Sequence, residues 1–330
     1  MWVAIIFVYY IIATMLPIDK IIGKVYPLFA FSLLFMAGAL MVWLFLHWPT
    51  IPEVWTHAYN MGMATEPDKW TDAIFPALFI TVACGAISGF HGTQSPLMAR
   101  CVKSEKMGRP IFYGAMITEG VVALIWASVA SWFFYGNPAP GYELIEKATA
   151  GFHTSAPAVV NLVCNEWLGV AGAVLAMLGV VAAPITSGDT AFRSGRLIVA
   201  EWLKMNQRPI MNRLYICIPM FAVSIAMLVW QVENPDGFNT IWQYFGFSNQ
   251  ALSVFTLWTV TVYLVRQKKA YWITLIPALF MTTVCSTFFF VSKQTLHLPG
   301  NVGYILGGVC FVAAVVWFCV WYRREVRVKN

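Results

Sequence analysis

The 330-residue chain is 59% hydrophobic and only 11% charged. Soluble domains carry about 25% charged residues, so this composition identifies an integral membrane protein and excludes a soluble one. Its net charge of +6 is spread over separate loops, which argues against a nucleic-acid-binding surface. No Cys-x-x-Cys, His-Glu-x-x-His or Gly-x-Ser-x-Gly pattern occurs, so the sequence carries no motif of a zinc site or of an enzyme.

Nine apolar runs are long enough to cross a hydrocarbon core of about 30 Å, which takes about 20 helical residues. They lie at residues 1–16, 27–46, 72–90, 110–134, 166–187, 210–230, 244–265, 271–291 and 302–322. The pattern predicts an all-α membrane protein in which residues 1–330 form a single domain. Within that domain, residues 191–208 mix apolar and charged side chains, which predicts a short helix lying on the cytoplasmic interface.

The loop charges predict the orientation of these spans. If alternate loops are taken as cytoplasmic, beginning after the first run, eighteen of the 21 basic residues fall on that side. The exceptions are Lys69, Lys147 and Lys293, which share the opposite side with nine acids. Because basic residues concentrate in cytoplasmic loops, the N-terminus is expected outside and the C-terminus inside. The long loops 47–71 and 135–165 then face outward.

The third apolar run ends in an unusual polar segment, residues 85–96. Three glycines, a histidine, hydroxyls, an amide and a proline arrive together, and glycine and proline both disfavour a regular helix. A helix that unwinds into polar side chains at membrane depth is how transporters build substrate sites. The candidate substrate ligands from this segment are Gly89, His91, Gly92, Thr93 and Gln94. The alternative is a break outside the membrane that only caps an ordinary helix.

Two further polar groups are candidates for ion or proton coupling. Glu119 lies ten residues into the fourth run and is the one acid well inside a predicted span, where a carboxylate is costly unless it has a function. The fifth run closes with Thr186, Ser187 and Asp189, whose oxygens suit a hard cation. Each candidate also has a purely structural explanation. Glu119 would be a hydrogen-bonded residue near the inner interface, and the segment at 186–189 would be an ordinary helix end with an Asp189–Arg193 ion pair.

The polar triplet Ser248-Asn249-Gln250 opens the seventh run. Asn249 and Gln250 are therefore added to the candidate substrate ligands, although helix capping explains the triplet about as well as ligand contact.

Three segments together resemble the carbon starvation protein A (CstA) family. They are Gly-Phe-His-Gly-Thr-Gln-Ser-Pro at 89–96, Ala-Pro-Ile-Thr-Ser-Gly-Asp-Thr-Ala-Phe-Arg at 183–193 and Trp-Gln-Tyr-Phe-Gly-Phe-Ser-Asn-Gln at 242–250. The resemblance implies a secondary active transporter of the plasma membrane that takes up peptides or pyruvate-like carboxylates and is induced when carbon runs short. A membrane-embedded enzyme or a non-transporting scaffold is the alternative, and a channel is disfavoured because one asymmetric break offers no ring of filter residues.

The resemblance also implies a LeuT-like inverted-repeat core of the APC superfamily. Family members carry additional spans before the point where this chain begins, so the N-terminal helices of that core, including one broken helix, are expected to be missing here. In such a core Thr186 and Ser187 occupy the place of half a sodium site. Sodium or a proton is thus the expected coupling ion, with Glu119 or His91 as the proton carrier, and no other cofactor is expected.

Overall fold

The computed structural model describes residues 2–15, 22–51, 74–82, 85–136, 156–234 and 237–329, and in these ranges it contains helices and no strand. The α-helices are α1 (Trp2–Met15), α2 (Ile22–His47), α3 (Phe79–Val82), α4 (Phe90–Cys101), α5 (Ala115–Tyr135), α6 (Ala156–Trp202), α7 (Ile210–Glu233), α8 (Gly237–Arg266), α9 (Trp272–Val291) and α10 (Gly300–Lys329). Short π-helical segments, Ile74–Leu78 and Arg109–Gly114, precede α3 and α5, and a 3₁₀ turn occupies Glu105–Met107.

Six helices in the described ranges are long and apolar enough to cross a membrane, which confirms a multi-pass membrane protein. They are Pro27–His47, Glu105–Phe134, Ala158–Val181, Ile210–Glu233, Trp272–Val291 and Gly300–Glu325. The first predicted span instead forms α1, with 14 helical residues, and the third is interrupted. The seventh predicted span lies in α8. This helix is long enough to cross a membrane, but the polar triplet 248–250 makes it less apolar than the six helices above. Nine spans therefore stay a prediction.

The chain divides into two compact units. The first comprises Met1–Glu53 and Val121–Phe238, and its core forms where α2 packs against α6. Met36 and Leu40 of α2, Phe133 of α5 and Val163 of α6 are all buried there. This packing follows from the apolar composition of these helices, whose remaining large side chains stay exposed, as lipid-facing surfaces require.

The second unit comprises Val54–Gly120 and Asn239–Asn330. Its core joins Ile80 of α3 to Met281 and Val284 of α9, with Phe247 and Leu257 of α8 packed against them. Glycines allow α9 and α10 to approach closely, since a Cβ on Gly307 would lie 2.0 Å from the Thr287 hydroxyl oxygen. Whether the two units form the single domain expected from the sequence stays a prediction.

Helix α6 differs from the sequence-based expectation in two places. A left-handed residue, Gly169 with φ of 67°, interrupts it inside the membrane-crossing segment. At the other end the helical backbone continues through residues 183–190 to Trp202, so residues 191–202 extend α6 and 203–209 form a turn. A position on the cytoplasmic interface stays a prediction. Most of the expected outer loops 47–71 and 135–165, including Lys69 and Lys147, lies outside the described residues.

Candidate functional site

The predicted helix break lies between α3 and α4. Residues 86–89 are not helical, and α4 begins at Phe90. Ser88 satisfies the first free N–H groups of α4, because its hydroxyl oxygen accepts from the Phe90 N–H at 3.3 Å and its carbonyl accepts from the His91 N–H at 3.3 Å. The break is thus present within the predicted segment 85–96, but it ends at Gly89, before the candidate ligands His91 to Gln94.

Proline does not unwind α4 as the sequence suggested. Pro96 lies inside the helix, at the seventh of its 12 residues. A proline removes one backbone hydrogen bond, and the rest of a capped helix tolerates that loss at a kink. His91, Gly92, Thr93 and Gln94 therefore lie on the first turn and a half of a helix, and freed backbone groups at these positions are not available for a ligand.

The start of α4 packs directly on α8. The Ser88 hydroxyl donates to the Asn249 side-chain oxygen at 3.3 Å, and both residues are buried. Gly89 lies so close to α8 that an added Cβ would be 2.3 Å from the Asn249 carbonyl oxygen. The structure therefore brings together two segments that the sequence marked separately, with Asn249 holding the break in place.

Gln250 is completely buried next to this contact. Its side-chain oxygen lies 3.5 Å from the Ser253 hydroxyl, which donates to the Gln250 carbonyl at 2.7 Å. The side-chain nitrogen has no acceptor among the described residues. This arrangement places Asn249 and Gln250 behind the site rather than on its surface, and direct ligand contact by either stays a prediction.

A cavity of about 630 Å³ lies between α4 and α8. This volume is in the range of small-molecule sites. Its lining combines one imidazole and several hydroxyls with apolar side chains: His91, Gly92, Thr93, Ser95, Pro96, Ala99, Phe112, Leu252, Phe255, Thr256, Thr259 and Val260. Gln94, a predicted ligand, is half-buried on α4 and does not line this cavity.

The hydrogen bonds of the lining residues fix what each can offer a ligand. His91 Nδ1 lies 2.8 Å from the Ser88 carbonyl oxygen, and because a carbonyl only accepts, Nδ1 carries the proton. The other ring nitrogen, Nε2, is left to accept or to carry a second proton. Thr256 donates to the Leu252 carbonyl at 3.1 Å and Thr259 donates to the Phe255 carbonyl at 2.8 Å. Their hydroxyl oxygens can thus accept from a ligand.

Glu119 is the fifth residue of α5, and its carboxyl group interacts electrostatically with the His91 imidazole. Glu119 is exposed. The sequence offered Glu119 and His91 as separate candidates for a proton carrier. The structure brings the two into one electrostatic environment next to the cavity.

The candidate cation ligands lie in the other compact unit. The helix end expected at Thr186 and Ser187 is absent, because α6 continues to Trp202. Ser187 is exposed, and its carbonyl accepts from the Thr190 hydroxyl at 2.9 Å. The side chains of Thr186 and Asp189 lie outside the described part of the structure. A cation site at these residues therefore stays a prediction.

Sequence reasoning missed the contribution of α8 beyond the polar triplet. Ser253, Thr256 and Thr259 follow one another at intervals of three, so Thr256 and Thr259 present hydroxyls on one helix face in an otherwise apolar run. That spacing is the signal that could have found them. Ser88, which accepts from the first N–H groups of α4, carried no comparable signal because serines are ordinary at helix ends.

Comparisons with known proteins relate the chain to one family and to several curated proteins. It matches the model of the family described as "Carbon starvation protein CstA" over residues 1–167 and 144–288. An "Uncharacterized membrane protein" of Haemophilus influenzae is 51% identical over 42% of this chain and 40% of that protein. The "Peptide transporter CstA" of Bacillus subtilis is 26% identical over 98% of this chain and 61% of that protein.

A further relative, the "Pyruvate/proton symporter BtsT" of Escherichia coli, is 25% identical over 72% of this chain and 43% of that protein. The chain thus spans between about two fifths and three fifths of the length of these three relatives. No solved structure matches it.

Proposed function

The chain belongs to the carbon starvation protein CstA family, and we propose that it forms the substrate-binding part of a secondary active transporter. The proposed substrates are small carboxylates, either short peptides or pyruvate, taken up across the plasma membrane when carbon is scarce. One observation carries this proposal: the cavity of about 630 Å³ between α4 and α8 has His91 at the N-terminal turn of a helix.

The α4 side of the cavity suits a carboxylate. The N-terminus of a helix carries a partial positive charge, which favours anions. His91 is the second residue of α4, and its Nε2 atom can donate a charge-assisted hydrogen bond when the ring is protonated. We assign His91 the role of binding the substrate carboxylate, with Thr93 beside it and with Gly89 and Gly92 allowing the close approach of α8.

The α8 side of the cavity offers acceptors instead. The hydroxyl protons of Thr256 and Thr259 are committed to backbone carbonyls, so their oxygens face a ligand as acceptors. An amino group could donate to them, while the keto oxygen of pyruvate could not. This asymmetry favours a peptide, whose carboxylate and amino group would occupy opposite sides. Pyruvate remains the second candidate because one relative is named a pyruvate/proton symporter.

We propose that a proton drives uptake and that Glu119 and His91 carry it. Protonation of either group changes the charge next to the cavity, which links the proton to an anionic substrate. Sodium coupling through Thr186, Ser187 and Asp189 is the alternative. Two observations weaken it: the helix does not end at those residues, and the Ser187 carbonyl already accepts a hydrogen bond.

We also propose that the N-terminus of the chain faces the outside of the cell and that its C-terminus faces the cytoplasm.

Uptake of a labelled dipeptide and of labelled pyruvate tests the proposal, in cells that express the whole gene product. His91→Ala should reduce uptake at least about tenfold, since a hydrogen bond to a charged group contributes about 1.5–3 kcal/mol. His297→Asn is the control, because His297 is exposed with φ of 46°, a conformation that asparagine tolerates. Wild-type kinetics in His91→Ala, at normal expression, would place the substrate elsewhere.

A further inference from the structure

Two arginines are buried towards the end of α6, and a half-buried third lies at the start of α7, in a region that the proposed transport mechanism does not use. Arg193 and Arg196 lie three residues apart on one face of α6, and only 5% and 6% of their surfaces are exposed. Arg213 lies in the first turn of α7. We call these three side chains the arginine cluster. Arginine is almost never this buried unless an anion accompanies it.

Gln207, in the turn between the helices, links two members of the arginine cluster. Arg196 Nη1 donates to the Gln207 side-chain oxygen at 3.0 Å, and Arg213 Nε donates to the Gln207 carbonyl at 2.6 Å. Two further donors are buried at the same place without an acceptor in the described ranges, namely Arg196 Nε and the Gln207 side-chain nitrogen. Buried donors without acceptors are costly, so their convergence points to a ligand that accepts several hydrogen bonds.

The electrostatics of the arginine cluster also favour a bound anion. Burial has the largest effect and lowers the pKa of Arg196; Cys217 raises it, and the neighbouring Arg213 and Arg193 lower it by smaller amounts. A guanidinium does not lose its proton in a protein, so Arg196 stays charged at a cost. A bound anion would remove both the repulsion between the arginines and the unsatisfied donors.

The position of the arginine cluster indicates which anion it meets. Arg213 lies four residues into the membrane-crossing helix Ile210–Glu233, which places the cluster at the level of lipid headgroups. Large apolar side chains flank it and are exposed: Ile198 and Trp202 on α6, and Ile210 on α7. Exposed apolar side chains next to a cluster of basic side chains are suited to lipid chains below a headgroup.

We propose that the arginine cluster binds the phosphate group of an anionic phospholipid. A phosphate diester supplies several acceptor oxygens and a negative charge, and guanidinium groups bind it in the planar, two-bond geometry that Arg196 Nε and a neighbouring Nη can provide. The bound lipid would hold the end of α6 against the start of α7. The chemistry excludes a zwitterionic headgroup as an equal substitute, because its own cation would repeat the repulsion.

Thermal stability of the purified, delipidated protein tests this assignment. The additives are phosphatidylglycerol, phosphatidylcholine and inorganic phosphate, each alone. Phosphatidylglycerol should raise the Tm of the wild type. In Arg196→Gln, the phosphatidylglycerol concentration that gives half of the maximal effect should rise at least about tenfold. Arg208→Gln is the matched control, because Arg208 lies in the same turn and is exposed, and it should respond like the wild type.

The lipid-free proteins separate a binding role from a structural one. Removing an uncompensated buried charge should leave Arg196→Gln at least as stable as the wild type without lipid. A lower Tm of lipid-free Arg196→Gln would mean that the protein itself neutralises Arg196, and it would overturn the proposal. Three other results would also overturn it. Phosphatidylglycerol could stabilise the wild type, Arg196→Gln and Arg208→Gln equally, phosphatidylcholine could raise the Tm as much as phosphatidylglycerol, or inorganic phosphate alone could produce the whole rise in Tm.

Discussion

Replacing Gly89 by alanine should separate α4 from α8 and so test the geometry of the site. An added Cβ would lie 2.3 Å from the Asn249 carbonyl oxygen and 2.7 Å from Leu252 Cβ. A backbone carbonyl cannot rotate away, so one helix must move. The backbone angles of Gly89 are ordinary for alanine, φ −64° and ψ −22°, so the effect is steric and not conformational.

The magnitude follows from comparison with two other glycines. Overpacking costs about 1–3 kcal/mol, and we expect the upper end for Gly89→Ala because its neighbour is backbone. Gly92→Ala would meet the Thr256 hydroxyl at 2.6 Å, which can turn at the cost of one hydrogen bond of about 1 kcal/mol. Gly308 has no neighbour within 4 Å, so Gly308→Ala should gain about 0.5–1 kcal/mol from helix propensity.

The assay is the temperature at which each detergent-purified variant loses its monodisperse gel-filtration peak. The expected order of stability is Gly308→Ala, wild type, Gly92→Ala and then Gly89→Ala. Equal stability of Gly89→Ala and Gly92→Ala would show that the close approach at the start of α4 does not exist. Destabilisation by Gly308→Ala would equally contradict the open surroundings of that glycine.

Three further predictions concern coupling and orientation. Glu119→Gln should abolish the response of uptake to an imposed proton gradient, whereas Glu105→Gln, in an exposed turn, should not; a retained response would remove Glu119 from coupling. Thr186→Ala and Ser187→Ala should leave uptake unchanged under an imposed sodium gradient, and a loss of sodium dependence in either would establish the alternative site. Cysteine at position 147, in place of Lys147 and without the native cysteines, should react with an impermeant reagent in intact cells; labelling only after permeabilisation would reverse the orientation.

The helix break could be predicted from sequence because glycines weaken a helix locally, although Pro96, which also suggested a break, lies inside α4. Its exact position could not, since that depends on which residue accepts from the first N–H groups of α4, and Ser88 does so through its own carbonyl and hydroxyl. The pairing of Ser88 with Asn249 joins residues 161 positions apart, and a single sequence holds no signal for such a contact. The polar character of both segments was therefore predictable, and their contact was not.

The end of the fifth predicted span shows a different limit. Residues 183–190 contain proline, glycine and three hydroxyls, which locally favour a helix end. In the structure the same residues continue α6 to Trp202, and Arg193 and Arg196 beyond them are buried. Tertiary packing decided the outcome against local preference, as it commonly does.

Protection of a cysteine in the cavity tests the central claim most directly, because it reports binding without requiring transport. Ser95 lines the cavity, and Ser104 is exposed and does not line it. In a protein without native cysteines, a saturating dipeptide should slow maleimide modification of Ser95→Cys several-fold and leave Ser104→Cys unchanged. Pyruvate should protect if it is the substrate. Unchanged modification of Ser95→Cys with both compounds would contradict a substrate site between α4 and α8.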